Sequence, residues 1–438
     1  MRSARARETG QSSEAKSFLM VAPSPRGAVS RASPATHAVE TSTRDKGSTP
    51  TRKNRASSTL RLAFEVWGWV CALILAYVIY EGLDERRVHM LNVYYQAPVV
   101  VTLACVLWAQ NLQVWHRLHL TPSPLICFGV DHDDSVTFER IYRLAQASAV
   151  ALLTSMVLFL FTYDVDEPFT ATSILMITYV VPIVFALWPN KTKGFGQLRA
   201  HLRRLIFNCA TPLARPVGFA DFFFADILCS LAKSMSDLER VVCSARHGII
   251  LIHTSTGRCG DRSWRIPAVL IVPSVIRFLQ CLRQYSDTRE TKCLYNAFKY
   301  MSAFPVIIIS GVRHSIDHDD WTFFWRPLWI SFCVFNTCFS FYWDIKHDWA
   351  LSLFSGASSR RAGDKVPFGL RERRLYGAPR VYYRAICLNF AFRIVWTYKL
   401  ASHLRHHSAV LWLVTMAEAT RRFRWSLFRV EVEYLRRH

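Results

Sequence analysis

The 438-residue chain lacks the signatures of soluble nucleotide and hydrolase chemistry. It has no glycine-rich phosphate loop, no GxSxG elbow and no HExxH pair. An ATP-driven pump needs a nucleotide-binding domain, and none is legible, so that class is set aside. Among 12 cysteines there is no CxxC, and the pair Cys333 and Cys338 lies inside an apolar run. That is not metal-ligand spacing, and neither a metal nor any other cofactor is expected. Cys243 and Cys259 could meet in a non-cytoplasmic loop, but spacing alone does not pair them. Residues 18–23 are too short for the apolar core of a secretory signal. No internal repeat is visible. Acid is scarce: 32 Asp and Glu stand against 54 Lys and Arg, for a net charge of +22. In a soluble protein that balance suggests nucleic acid. Here 51% of residues are hydrophobic and mean hydropathy is +0.13. Long apolar segments alternating with basic loops explain both facts, because cytoplasmic loops of membrane proteins collect Lys and Arg. No nucleic-acid partner is expected; membrane lipid is.

What is present begins with a texture change. Residues 1–61 carry 12 Lys and Arg, four acids and no sustained apolar run. They read as a disordered, basic cytosolic tail. From Leu62 onward apolar windows follow one another at 62–80, 97–115, 140–161, 172–188, 219–238, 266–282, 294–311, 322–342, 382–400 and 408–428. A helix needs roughly 17–25 residues to cross the hydrocarbon core. The expected fold is therefore all-α: a polytopic membrane helical bundle of about ten transmembrane helices over 62–438, with a core bundle at about 219–435. Pro182, Pro273 and Pro305 fall within spans and mark kinks or breaks. Basic residues crowd 189–218, 343–381 and both chain ends, which predicts cytosolic termini. Loop 239–265 has five basic residues on the opposite side and departs from the rule.

Several apolar segments carry charge. Arg277 and Lys299 sit where lipid would penalise a cation by at least about 2.5–3.5 kcal/mol. Something must compensate, and an anion in transit would do so. Asp226 and Lys233 are seven apart and would share a helix face; Lys233 and Asp237 are four apart and can pair. Lys299 adjoins Tyr300, and Asp344 and Asp348 lie one turn apart. Arg393 precedes Trp396 by three residues, while Glu418, Arg421 and Arg422 stack within one turn. Any one of these charges could snorkel to the headgroups from a helix end. Taken together they point to a bundle interior or an aqueous path. Guanidinium forks match tetrahedral oxyanions. Acids that compete for the cations would keep binding from becoming a trap.

Six pieces carry a family likeness: FADILCSLAK at 224–233, IPAVLIVPSVIRFLQCLRQYSDT at 266–288, NAFKY at 296–300, WDIKHDW at 343–349, FRIVWTY at 392–398 and EATRRFRWSLFRVEVEYL at 418–435. In order and spacing they resemble the EXS domain, the membrane module of eukaryotic phosphate exporters. The likeness runs over roughly 60–438 and is sharpest from 221 onward. It implies a ten-helix transporter that moves inorganic phosphate out of the cytosol and is not an enzyme. By motif position the phosphate path falls on Asp226, Cys229, Lys299, Tyr300, Asp344, Arg393, Arg421 and Arg422, with Trp396 and Glu418 at gating positions. Lys233, Arg277 and Asp348 are supporting candidates. Cys229 departs from the family's frequent Asn, so an amide donor is lost there. Residues 1–61 cannot hold the SPX domain of the plasma-membrane exporters. The chain thus looks like the short, SPX-less branch associated with the Golgi membrane, phosphate recycling, glycosylation and glycosyltransferase retention. Plasma membrane or another endomembrane is the alternative location, and a homodimer is left open.

Two rivals belong to other classes. A Golgi trafficking or scaffold protein would use the basic tail and the loop 359–374 on acidic partners or anionic lipid. A membrane acyltransferase would use His314 with Asp319, the H-x4-D spacing; no glycine-rich partner block follows it. The acidic runs at 131–134 and 317–320 read as solvated turns rather than hard-metal sites.

Overall fold

The computed structural model describes residues 52–118, 134–164, 168–189, 195–247, 259, 263–354, 368–400 and 408–437. The expected tail at 1–51, most of the 131–134 acidic run and the 359–367 part of the basic loop lie outside them. Residues 56–438 form one compact unit. Most of the described residues are helical, and none of them lies in a strand. The helices are α1 (Arg52–Glu81), α2 (Glu85–Tyr94), α3 (Gln96–Arg117), α4 (Asp134–Asp164), α5 (Pro168–Leu187), α6 (Phe195–Ala210), α7 (Phe219–Ser230) and α8 (Ala232–Arg246). They continue as α9 (Arg265–Thr288), α10 (Thr291–Met301), α11 (Ala303–Val312), the single turn α12 (His318–Asp320), α13 (Arg326–Trp343), α14 (Pro379–Arg393) and α15 (Ser408–Arg437). The protein is a helical membrane bundle.

Six stretches are long and apolar enough to cross a bilayer: Ala63–Glu81, Gln96–Arg117, Glu139–Tyr163, Phe169–Leu187, Arg265–Thr288 and Thr291–Val312. They match six of the ten expected spans. The other four differ for identifiable reasons. The window 219–238 is two helices, because the ladder is interrupted at Leu231, whose N–H reaches back to the Ile227 and Leu228 carbonyls. It resumes with Met235 N–H to the Leu231 carbonyl. The window 322–342 is opened by a π-turn at Trp321–Trp325, and a second π-turn at Asp344–Asp348 follows it. The window 382–400 ends as α-helix at Arg393 and continues as a 3₁₀ segment, Ile394–Leu400. The last window lies in a 30-residue helix that carries Glu418, Arg421, Arg422 and Arg424.

Of the three prolines, Pro182 and Pro273 lie inside unbroken helices. Pro305 does break its span. It has no N–H for the Met301 carbonyl and its ring crowds that turn, so α10 ends and α11 begins around Ser302. The Ser302 hydroxyl donates to the Lys299 carbonyl at 2.7 Å, restoring a bond at the break. Gly311 lets α11 approach α9 closely: a Cβ there would stand 2.8 Å from Pro267 Cγ. The basic stretch 189–218, expected as a loop, instead contains α6. Its Leu198, Leu205 and Cys209 recur at helical spacing, Leu205 and Cys209 are buried, and Arg199, Arg203 and Arg204 take the other face.

Two cores organise the unit. One joins α3, α7, α14 and α15 through Trp108, Phe223, Ile386, Phe423, Trp425 and Phe428. The other joins α1, α2, α4 and α5 through Leu75, Leu91, Phe159 and Leu175. Buried polar latches fix the register. Asn111 Nδ2 of α3 donates to Ser426 Oγ at 2.8 Å and to the Phe423 carbonyl at 2.9 Å. Glu431 of α15, fully buried, accepts from Leu375 N–H at 2.6 Å and from the Tyr382 hydroxyl, and pairs with Arg371. Outward-facing Leu73, Tyr77, Ile177 and Val181 on α1 and α5 would be a liability in water; against acyl chains they are at home. Cys243 and Cys259 form a disulfide, the pairing that spacing alone left open.

Candidate functional site

The charged candidates meet in the interior of the second half of the chain. Arg277 of α9 and Asp226 of α7 form a buried ion pair, Nε to Oδ1 2.8 Å, with side chains 3% and 4% exposed. Arg277 also donates to Gln280 Oε1 at 2.7 Å and lies 4.8 Å over the Tyr300 ring. The Tyr300 hydroxyl donates to the same Asp226 oxygen. Arg277 is therefore neutralised by the protein, and the expectation that this cation awaits an anion is corrected. The expected shared face of Asp226 and Lys233 is corrected too, since the break at Leu231 lies between them.

A second knot centres on Asp344, in the π-turn after α13. It accepts from Arg393 Nε at 3.2 Å and Asn389 Nδ2 at 3.0 Å, and Arg421 Nη1 stands 3.6 Å away. The guanidinium of Arg421 also grips Glu418 in bidentate fashion, at 2.8 and 2.6 Å, and its Nη1 donates to Asn389 Oδ1 at 3.2 Å. Glu418 accepts from Ser230 Oγ at 2.6 Å, and Ser230 in turn accepts from Arg422 Nε at 2.9 Å. Ser230 is the last residue of α7, so the helix break hands its hydroxyl to both partners.

Two cations stand apart in this network. Lys299 and Arg422 are each only 8% exposed, yet among the described residues neither has a carboxylate within ion-pair distance. The Lys299 ammonium lies 4.4 Å over the Tyr300 ring and 5.5 Å over that of Trp343. Arg422 has Ser230 and the Trp425 ring, 4.6 Å away. Aromatic faces and a hydroxyl stabilise a cation while leaving it free to take an anion. Five cations (Arg277, Lys299, Arg393, Arg421, Arg422) thus face four carboxylates (Asp226, Asp344, Asp348, Glu418), a surplus of one positive charge, and Asp348 is the acid that acts most strongly on Lys299. Asp348 lies at the edge, accepting from Trp425 Nε1 at 3.3 Å.

The remaining candidates occupy other positions. Cys229 packs beside Cys281, Ala297 and Tyr300 and supplies sulfur where an amide was expected. Trp396 is outside the charge network: its Nε1 donates to Thr337 Oγ1 at 3.0 Å and its ring meets Trp329 edge-on at 5.7 Å. Lys233 pairs with Asp237, as the four-residue spacing suggested. Sequence reasoning missed Ser230, Gln280 and Asn389, which hold the charged groups in place. A polar residue within an apolar window was the available signal. At the far edge, His347 stacks on Trp343, ring centroids 4.2 Å apart. Burial first, then Lys292, Lys346 and Lys299, lower its pKa from 6.5 to about 4.

A polytopic helical membrane protein with a dry, net-positive charge cluster where interrupted helices meet is what fold and site define together. Residues 91–435 match the EXS family, and the chain belongs to it. It is 28% identical over 372 residues to the xenotropic and polytropic retrovirus receptor 1 homolog of Xenopus laevis, covering 81% of this chain and 52% of that protein. It is 31% identical over 284 residues to solute carrier family 53 member 1 of Homo sapiens, covering 59% of this chain and 39% of the relative. The mouse protein of the same name is 31% identical over 275 residues. The chain spans about half or less of the length of these relatives.

Proposed function

We propose that the chain carries inorganic phosphate across a membrane through this charge cluster, with ten helical crossings and no enzymatic step. The observation that carries the reading is the pair Lys299 and Arg422: buried cations with no carboxylate within ion-pair distance among the described residues, in a network with one positive charge to spare. A tetrahedral oxyanion offsets that surplus and offers acceptors to both groups. Phosphate would shed water between Lys299, Arg422 and Arg421. Arg421 would turn from Glu418 toward the anion, and Glu418 would retake it on release, so that binding stays reversible. Asp344 and Asp226 hold Arg393 and Arg277 in place when the site is empty. Trp396 would narrow the path at its other end.

Orientation draws support from two sides. Disulfides persist in oxidising compartments, so the Cys243–Cys259 end of α8 faces the lumen or exterior. Lys292, Lys346 and Arg436 belong to the opposite, cytosolic end by the basic-residue rule. Both termini are then cytosolic. The EXS resemblance extends the proposal to the Golgi membrane, phosphate recycling and support of glycosylation and glycosyltransferase retention. Radiolabelled phosphate efflux from proteoliposomes tests the reading. Efflux should occur and be lost in Arg393→Ala and Arg421→Ala; wild-type vesicles that retain their phosphate would end it.

A further inference from the structure

The Ser230–Glu418–Arg422 layer has a second polar layer beside it, one helical turn nearer the disulfide end. On α8, Lys233 follows Ser230 by three residues; on α15, Thr415 precedes Glu418 by three. At about 1.5 Å per residue Thr415 lies roughly 4.5 Å further along α15, and Lys233 lies just past the break at Leu231. The Lys233 ammonium donates to Asp237 and to Gln96 Oε1 at 3.3 Å, and Gln96 Nε2 donates to Thr415 Oγ1 at 3.3 Å. Gln96 opens α3 and Thr415 lies on α15, so these two helices contribute neutral groups to the layer, and its acid is Asp237 of α8 itself. An ammonium has three protons, and two are engaged here. The Lys233 side chain is 43% exposed whereas that of Asp237 is 6% exposed, so the lysine stays accessible while its acid is buried. Two acceptors are left over in the same turn: Asp237 Oδ2 and Ser234 Oγ are buried with no partner among the described residues.

We infer that Lys233 is a second anion-binding station on the same path, and that Asp237 is the latch that makes it let go. The inference rests on the phosphate-transport reading and deepens it. A phosphate leaving Arg422 toward the disulfide side meets the Lys233 ammonium next. Gln96 steadies that ammonium through Thr415. Asp237, with one oxygen on Lys233 and the other unpaired, competes for the lysine and shortens the stay. Without the latch, the anion would bind more tightly from that side and leave more slowly. Stations of matched, moderate affinity are what conduction requires.

The test is sided inhibition of phosphate efflux from oriented vesicles, with unlabelled phosphate added on either face. In Asp237→Asn, the phosphate concentration that half-inhibits from the disulfide side should fall about tenfold, a change worth about 1.4 kcal/mol. Maximal efflux should fall with it, and inhibition from the other side should stay unchanged. Lys233→Gln should lose inhibition from the disulfide side, and Lys233→Arg should keep it. A merely structural pair would lower protein recovery without any side-dependent shift, and that outcome overturns the inference. So does side-symmetric inhibition in both variants. Should Lys233→Gln fail to fold, Asp237→Asn alone decides. If the wild type moves no phosphate at all, the transport reading fails first; if it does and only the sided effect is missing, this inference alone fails.

Discussion

At the residue scale, the cluster is a set of mutual debts between buried charges. Asp344 serves Arg393, Asn389 and Arg421 at once. Removing one partner of a buried pair leaves an uncompensated charge and costs about 3–5 kcal/mol. Asp344→Asn should therefore lower the denaturation temperature in detergent by several degrees; an unchanged melting curve would show that the guanidiniums find other partners. His347 makes a prediction of opposite character. Its folded pKa of about 4 lies below the ordinary 6.5, so the unfolded chain binds the proton more readily between those values. Stability is full above pH 6.5 and is lost as pH falls toward 4. His347→Gln should flatten that loss in a pH series of melting curves, and an unaltered slope would assign the titration elsewhere. The charged residues were legible because lipid makes each one expensive. Ser230, Asn389 and Gln280 were not, since a neutral polar residue in an apolar window has many bland explanations. Only packing reveals that Ser230 joins Glu418 to Arg422.

At the scale of the element, the breaks fall beside the chemistry. α7 stops at Ser230, α10 stops one residue after Tyr300, and a π-turn begins at Asp344. Interrupted helices at mid-membrane are a recurring way to build a substrate site. Long apolar spans such as α1, α4 and α9 could be read from hydropathy. The Leu231 break could not, because FADILCSLAKSMSD carries neither proline nor glycine to announce it. Pro305 did announce the Ser302 break. Pro305→Ala would supply the missing N–H to the Met301 carbonyl and let α10 run into α11, removing a penalty of about 3 kcal/mol. The variant should melt at an equal or higher temperature while its phosphate flux falls. Higher stability with full flux would mean that the break is not needed to present Lys299.

At the scale of the whole molecule, the proposed orientation rests on the oxidised pair at one end and the Lys and Arg of 189–218 and 343–381 at the other, against the five basic residues of loop 239–265. Cysteines introduced singly test it in sealed vesicles. Lys292→Cys should react with a membrane-impermeant maleimide from the cytosolic face and Ser263→Cys from the opposite face; labelling of both from one face would reverse or break the topology. On the proposed reading, the order of events along the path would be the cytosolic rim, Lys299, Arg422, then Lys233. All of it depends on two buried cations, neither with a carboxylate in ion-pair reach among the described residues, meeting a phosphate. The most direct measurement is phosphate efflux from proteoliposomes holding equal amounts of wild type, Lys299→Met and Arg422→Met. The account predicts flux in the wild type and at least about a tenfold loss in each variant, since truncating a buried charge contact costs about 2–5 kcal/mol. Flux in both variants equal to that of the wild type would contradict it.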